Sequence, residues 1–233
     1  SSTSRGLGDV YKRQVLGLVT PSGGDIRFDG TSIARISARD RRRLSRDIQV
    51  VFQDPYTSLN PSMTVGDILA EPLVIQGATA KDARSRVRTL LDQVGLPSDA
   101  IERLPREFSG GQRQRVAIAR ALAPEPRLIV CDEPVSALDL STQARVLDLF
   151  VEIQRATGVA YLFVSHDLSV VRHISHRVAV LYRGDLVETG SAEHVTSSPD
   201  HPYTQKLLLA APVADPARQR ERRLERRRLM EAS

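Results

Sequence analysis

The sequence predicts an α/β fold with a mostly parallel sheet, an antiparallel β hairpin near the N-terminus and an inserted all-helical subdomain. Three observations carry this. Near-continuous apolar strands alternate with helices from residue 127 onward, a helical period runs from about 64 to 122, and an Asp-Gly pair interrupts an alternating stretch at 29–30.

Each element has its own local reason. Residues 24–34, "GDIRFDGTSIA", alternate and turn at Asp29-Gly30 like a hairpin. A short basic helix is expected at about 38–46, and "DIQVVFQD" reads as a strand ending at Gln53. In the helical region, Ala83, Val87, Leu90, Leu91 and Val94 recur on one face, with Thr79 placed to cap it. "RLIVCDE" is then a strand, 142–155 a helix with Val146, Leu147, Phe150 and Ile153 on one face, "VAYLFVSHD" a strand, and 168–174 a short helix. Such strands argue for a parallel sheet covered on both faces. "RVAVLYRGDLVETG" closes the pattern as a hairpin turning near Gly184.

Composition narrows the function classes. With 233 residues, 41% hydrophobic and 26% charged, the chain suits one large soluble domain or a core plus a subdomain. Its longest apolar runs, such as "VAYLFV", are strand length, far short of the ~20 residues that span a bilayer, and no secretory signal is read at its start. The single cysteine, Cys131, rules out an internal disulfide, and its apolar setting reads as a small buried hydrophobe in a reducing compartment. Of the formal charge of +5, the stretch 215–233 supplies +3 through seven arginines against four acids. The body is nearly balanced, so no basic nucleic-acid face is expected. The tail itself reads as a solvated end; its alternative is contact with anionic lipid.

In a parallel sheet, ligands sit beyond the carboxyl ends of the strands. Gln53 ends "IQVVFQ", Asp132 and Glu133 end "LIVCDE", and His166 ends "YLFVSHD". One carboxylate there can hold magnesium while its neighbour polarises a water. An acidic pair or a lone histidine taken singly reads more simply as structural. In "EFSGGQRQRVAIARAL", Ser109 and Gln112 fit a capping box that leaves the N–H groups of a helix start at Ser109, Gly110 and Gly111.

The conjunction is more specific than any member. "FSGGQ", then "LIVCDEPVSALD", then "VSH", with "VVFQDP" upstream, resembles the ATP-binding cassette of ABC transporters, with Phe108 standing where the family motif LSGGQ has leucine. The resemblance runs from about 15 to 213 and implies a P-loop NTPase-like sheet with ATP and Mg2+ as cofactors. It implies that Gln53 and Asp132 contact magnesium, Glu133 activates water and His166 senses the γ-phosphate. It further implies that Ser136–Asp139, "SALD", crosses a dimer interface, and that Ser109, Gly110, Gly111 and Gln112 meet nucleotide held by the opposite subunit. A second ABC ATPase subunit, in a homo- or heterodimer, and transmembrane permease subunits are the implied partners, with the chain peripheral on the cytoplasmic face of the membrane. "VFQDPYTSLNPSMTVGDILAEPL" and "SPDHPYTQKLLLAAPVADP" are similar to the oligopeptide/dipeptide importer branch, where nickel or another small solute is the alternative cargo. A soluble cassette serving translation or DNA repair is disfavoured, because a second cassette and a basic channel are missing from these residues.

One part departs from the family. A phosphate loop, GxxxxGK[ST], needs glycine before its lysine and a hydroxyl after it. Lys12 sits between Tyr11 and Arg13. Residues 15–30, "VLGLVTPSGGDIRFDG", resemble the region that follows the loop, whereas 1–14 match neither the loop nor the strand before it. Moreover, "DVYKRQ" is encodable by GATGTGTATAAGAGACAG, which resembles a transposon-end sequencing adapter. The expectation is therefore a non-native or disordered end over 1–14 joined to an N-terminally truncated cassette over 15–220, with the helical subdomain at about 55–125 and a basic tail at 221–233.

Overall fold

A computed structural model describes residues 5–210; the arginine-rich tail lies outside them. Two compact units are present. Among the described residues, one spans Lys12–Val164 and the other comprises 5–11 together with 165–210.

In the first unit, β1 (Arg27–Phe28) and β2 (Thr31–Ser32) form the hairpin foreseen at Asp29-Gly30. Both turn residues have positive φ, 52° and 77°, as a two-residue primed turn requires, and glycine takes the second without steric cost. The sheet proper has the order β3 (Ile48–Val51), β4 (Leu128–Asp132), β5 (Ala160–Val164), all parallel, with β4 in the centre. An apolar cluster of Ile33, Ile48 and Val130 draws in Val15, Leu16, Ile26 and Phe28, which fixes the hairpin region to the sheet.

Helix α1 (Arg5–Val15) precedes the hairpin, within the stretch expected to be a non-native or disordered end. Its order has visible causes. The Tyr11 hydroxyl donates to the Gly184 carbonyl at 3.1 Å, the Lys12 ammonium bonds the Asp132 carboxylate, and Val15 packs in the apolar cluster. Next come α2 (Ala38–Leu44), α3 (Pro55–Ser58), α4 (Val65–Ile75), α5 (Ala80–Gln93) and α6 (Gly110–Leu122), the last four making up the helical region. Thr79 caps α5 as expected, accepting from the Asp82 N–H at 3.2 Å, and Ala83, Val87, Leu90, Leu91 and Val94 are buried.

Helix α7 (Leu140–Thr157) lays Phe150 against β5, where the ring meets Tyr161 and Phe163 edge-on at centroid distances of 5.2 and 5.1 Å. Those two rings share one strand face by the two-residue period. The opposite face corrects the expectation of a sheet covered on both sides. On that side Ala160 is exposed and Leu162 is 41% exposed.

The second unit holds α8 (Leu168–Ile174), the antiparallel pair β6 (Arg177–Tyr182) and β7 (Asp185–Ser191), α9 (Ala192–Ser197) and α10 (Pro202–Ala210). Its hairpin turns at Arg183-Gly184, both at positive φ. Among the described residues, no helix is long and apolar enough to cross a membrane.

Candidate nucleotide site

Beyond the carboxyl end of the sheet in the first unit, four predicted positions fall close together. Asp132, the last residue of β4, is paired in register with Val164. Glu133 follows with φ 43°, a left-handed conformation that costs a non-glycine residue about 1–3 kcal/mol, and its N–H donates to the Val164 carbonyl at 2.9 Å. The Ser136 N–H and hydroxyl both donate to the Glu133 carbonyl, at 3.2 and 3.1 Å, closing the turn. From the segment after β3, Gln53 Nε2 donates to Glu133 Oε2 at 3.1 Å and to Ser136 Oγ at 3.3 Å. Gln53, Glu133 and Ser136 thus form one polar knot across two strand ends. Strand β3 itself stops at Val51, two residues before the expected end, which leaves Gln53 on the loop where its side chain can turn back.

Asp132 carries a partner that local sequence gave no means of finding. The Lys12 ammonium, 120 residues away, bonds its carboxylate, and the two side chains are only 11% and 14% exposed. The oxygen donors of Gln53 and Asp132 are of the type magnesium takes. The charge balance is the obstacle, because Lys12 already neutralises Asp132. As folded here, the pair does not fit a divalent ion unless Lys12 leaves.

The helix start at Ser109 is built as the sequence implied. Ser109 Oγ accepts from the Gln112 N–H at 3.3 Å, while Gln112 Oε1 accepts from the Ser109 N–H at 3.0 Å. Arg113, on the first turn of α6, stacks over the Tyr56 ring at 4.0 Å and donates to the Pro105 carbonyl at 2.7 Å. This helix start abuts the start of α7. A β-carbon on Gly111 would overlap Thr142 Cγ2, and one on Gly110 would lie 3.5 Å from Leu138. Asp139 caps α7, accepting from the hydroxyls of Ser141 and Thr142, each at 2.7 Å, and from the Thr142 N–H at 3.0 Å. Those two hydroxyls, then the N–H, hold its carboxyl well below the usual carboxylate range. Cys131, one residue before Asp132, is fully buried, and burial pushes its thiol up, so it serves as a packed apolar group.

His166 belongs to the other unit, in the turn Ser165–Asp167 that leads into α8. There the Asp167 N–H donates to Ser165 Oγ at 3.1 Å, and Asp167 caps α8 through the Ser169 N–H at 2.8 Å.

The family described as "ABC transporter" matches residues 13–136, and "Oligopeptide/dipeptide transporter, C-terminal region" matches 187–232. Among curated relatives, the glutathione import ATP-binding protein GsiA of Escherichia coli (strain K12) is 52% identical over 213 residues, and that of Shigella flexneri 53%. In each case 91% of this chain is aligned, but it spans only 34% of the relative's length. Of solved structures, cbiO1 from Clostridium perfringens, part of the ABC transporter complex cbiONQ, superposes with a TM-score of 0.76 at 26% identity, covering 94% of this chain and 82% of that one. The dimeric ATP-binding cassette MJ0796 in a post-hydrolysis state with ADP and Pi gives 0.68 at 26% identity, covering 79% and 80%. Strand-end carboxylates, a capped glycine pair and two family matches on one chain lead to a single placement: this chain belongs to the ABC transporter ATPase family, with a C-terminal region of the oligopeptide/dipeptide type.

Proposed function

We propose that the chain is the ATP-binding, ATP-hydrolysing part of an ABC importer of the peptide type, silent by itself because its 233 residues contain no GxxxxGK[ST]. The observation that supports this most is the knot of Gln53, Glu133 and Ser136 beside Asp132 at the strand ends. In this reading Glu133 orients the attacking water and His166 senses the γ-phosphate. With Lys12 withdrawn from Asp132, Gln53 and Asp132 are the residues that would hold Mg2+, whose chemistry would be charge neutralisation. Ser109, Gly110, Gly111, Gln112 and the loop ending at Asp139 face nucleotide held by a second cassette. Permease subunits complete the importer, and the chain sits at the cytoplasmic face of the membrane. The cargo is a small peptide, in keeping with the glutathione named for its relatives; nickel or another small solute is the alternative.

A missing phosphate loop removes about four charge-assisted bonds of roughly 1.5–3 kcal/mol each, on the order of 6–12 kcal/mol if additive. At ~1.4 kcal/mol per decade this is several orders of magnitude in ATP affinity. The bond between Lys12 and Asp132 favours a second reading, a partner cassette that offers its Ser109–Gln112 segment in trans and hydrolyses nothing itself.

Both readings meet the same experiment. Phosphate release by the purified chain is expected to equal that of its Glu133→Gln variant, and steady release abolished by Glu133→Gln would overturn the silence. Added to an intact GsiA, the chain is expected to raise turnover per GsiA, and Ser109→Arg to abolish the gain. An unchanged rate in the mixture rejects the role in trans.

A further inference from the structure

We propose that Glu188, His194 and Asp200 form a binding site for a zinc-class divalent ion, separate from the nucleotide chemistry and independent of the function proposed above. The three come from β7, from α9 and from the turn before α10, all within one compact unit. Their ligand atoms all lie within 4.8 Å of one another.

Bond lengths around zinc of 2.0–2.2 Å set ligand-to-ligand edges of about 3.3 Å in a tetrahedron. His194 Nε2 and Asp200 Oδ2 are already 3.0 Å apart. One edge of the polyhedron therefore exists, and drawing Glu188 in completes a face, with water as the fourth ligand. One imidazole and two carboxylates make the mixed nitrogen and oxygen set that zinc accepts and magnesium does not prefer.

The surroundings prepare each ligand. Ser198 Oγ lies 3.3 Å from His194 Nδ1. Without metal, Nε2–H donates to the Asp200 carboxylate, which can only accept; zinc would take the place of that proton, leaving the Ser198 hydroxyl to accept from Nδ1–H, the usual second partner of a metal-bound histidine. Glu188 is held by the Asp200 N–H on Oε1 at 2.9 Å and the His201 N–H on Oε2 at 3.3 Å. Thr204 is fully buried, and its hydroxyl makes no hydrogen bond of ordinary geometry. Two carboxylates facing a single imidazole leave an excess of negative charge, which a dication removes. Bound there, the ion would clamp β7, α9 and the turn into α10.

The test uses the full 233-residue chain, freed of metal with chelator and titrated with zinc sulfate by calorimetry, and with cobalt followed by visible absorption. One equivalent of zinc, a tetrahedral cobalt spectrum and a higher thermal midpoint with zinc are expected. Excess magnesium is expected to shift nothing. His194→Ala and Asp200→Asn are each expected to weaken zinc by about tenfold or more. Asp200 is 85% exposed, so its substitution leaves the fold intact and keeps the test valid even if His194→Ala is unstable. No zinc heat in the parent chain, or equal zinc affinity in Asp200→Asn, would overturn the site.

Discussion

The ammonium of Lys12 rests on the carboxylate of Asp132 at the end of the central strand of the parallel sheet, with both side chains largely withdrawn from water. Removing one member of such a pair strands the other charge. Lys12→Met is expected to lower unfolding free energy by about 3 kcal/mol or more, and Asp132→Asn in the same chain to restore most of it. Urea denaturation of the four members of this cycle measures the coupling. Lys12→Ala is also expected to bind Mn2+ more tightly than the parent, read by electron paramagnetic resonance. Equal manganese affinity would mean that Lys12 does not guard the carboxylate.

Phe150 tests the packing of α7 on the sheet. Its ring is fully buried and edge-on to Tyr161 and Phe163, so Phe150→Ala is expected to cost about 3–5 kcal/mol. Phe150→Leu, which refills part of the space, is expected to cost clearly less in the same denaturation.

Gly111 tests the contact between the starts of α6 and α7. The alanine methyl would overlap Thr142 Cγ2, so Gly111→Ala is expected to destabilise by about 1–3 kcal/mol despite alanine's better helix propensity. Thr142→Ser deletes the opposing methyl, and in that background Gly111→Ala is expected to be neutral or stabilising.

Asp139 gives a pH dependence of known sign. Its folded pKa lies below the ordinary 3.8, so its contribution is full above that value and fades as pH falls toward the folded one. The thermal midpoint of Asp139→Ala is expected to lie below the parent's at pH 7, with the gap narrowing as pH drops below about 4. Asp139→Asn, which can still cap but does not titrate there, is expected to lose this pH dependence while keeping most of the midpoint.

What the sequence made legible is what local chemistry dictates. The Asp29-Gly30 turn, the Thr79 cap, the Ser109–Gln112 box and the apolar faces of α5 and α7 are each written within a few residues, and each is found in the structure. The end of β4 at Asp132 and Glu133 was legible too, whereas Gln53 lies two residues past the end of β3. Lys12 reaching Asp132, Thr142 pressing on Gly111 and Ser136 sharing Gln53 with Glu133 are long-range meetings, which no period or motif encodes. The exposure of Leu162 escaped for a related reason: an apolar run such as "AYLFV" does not tell which of its side chains are covered.

The absence of a side chain at Gly111 has an effect beyond the two helices it joins. With the methyl of Thr142 seated where a β-carbon would go, the glycine-rich helix start and the aspartate-capped one are keyed together at a single contact. A change at either residue alone disturbs that contact, so the two helix starts keep their mutual placement only when Gly111 and Thr142 are matched to one another.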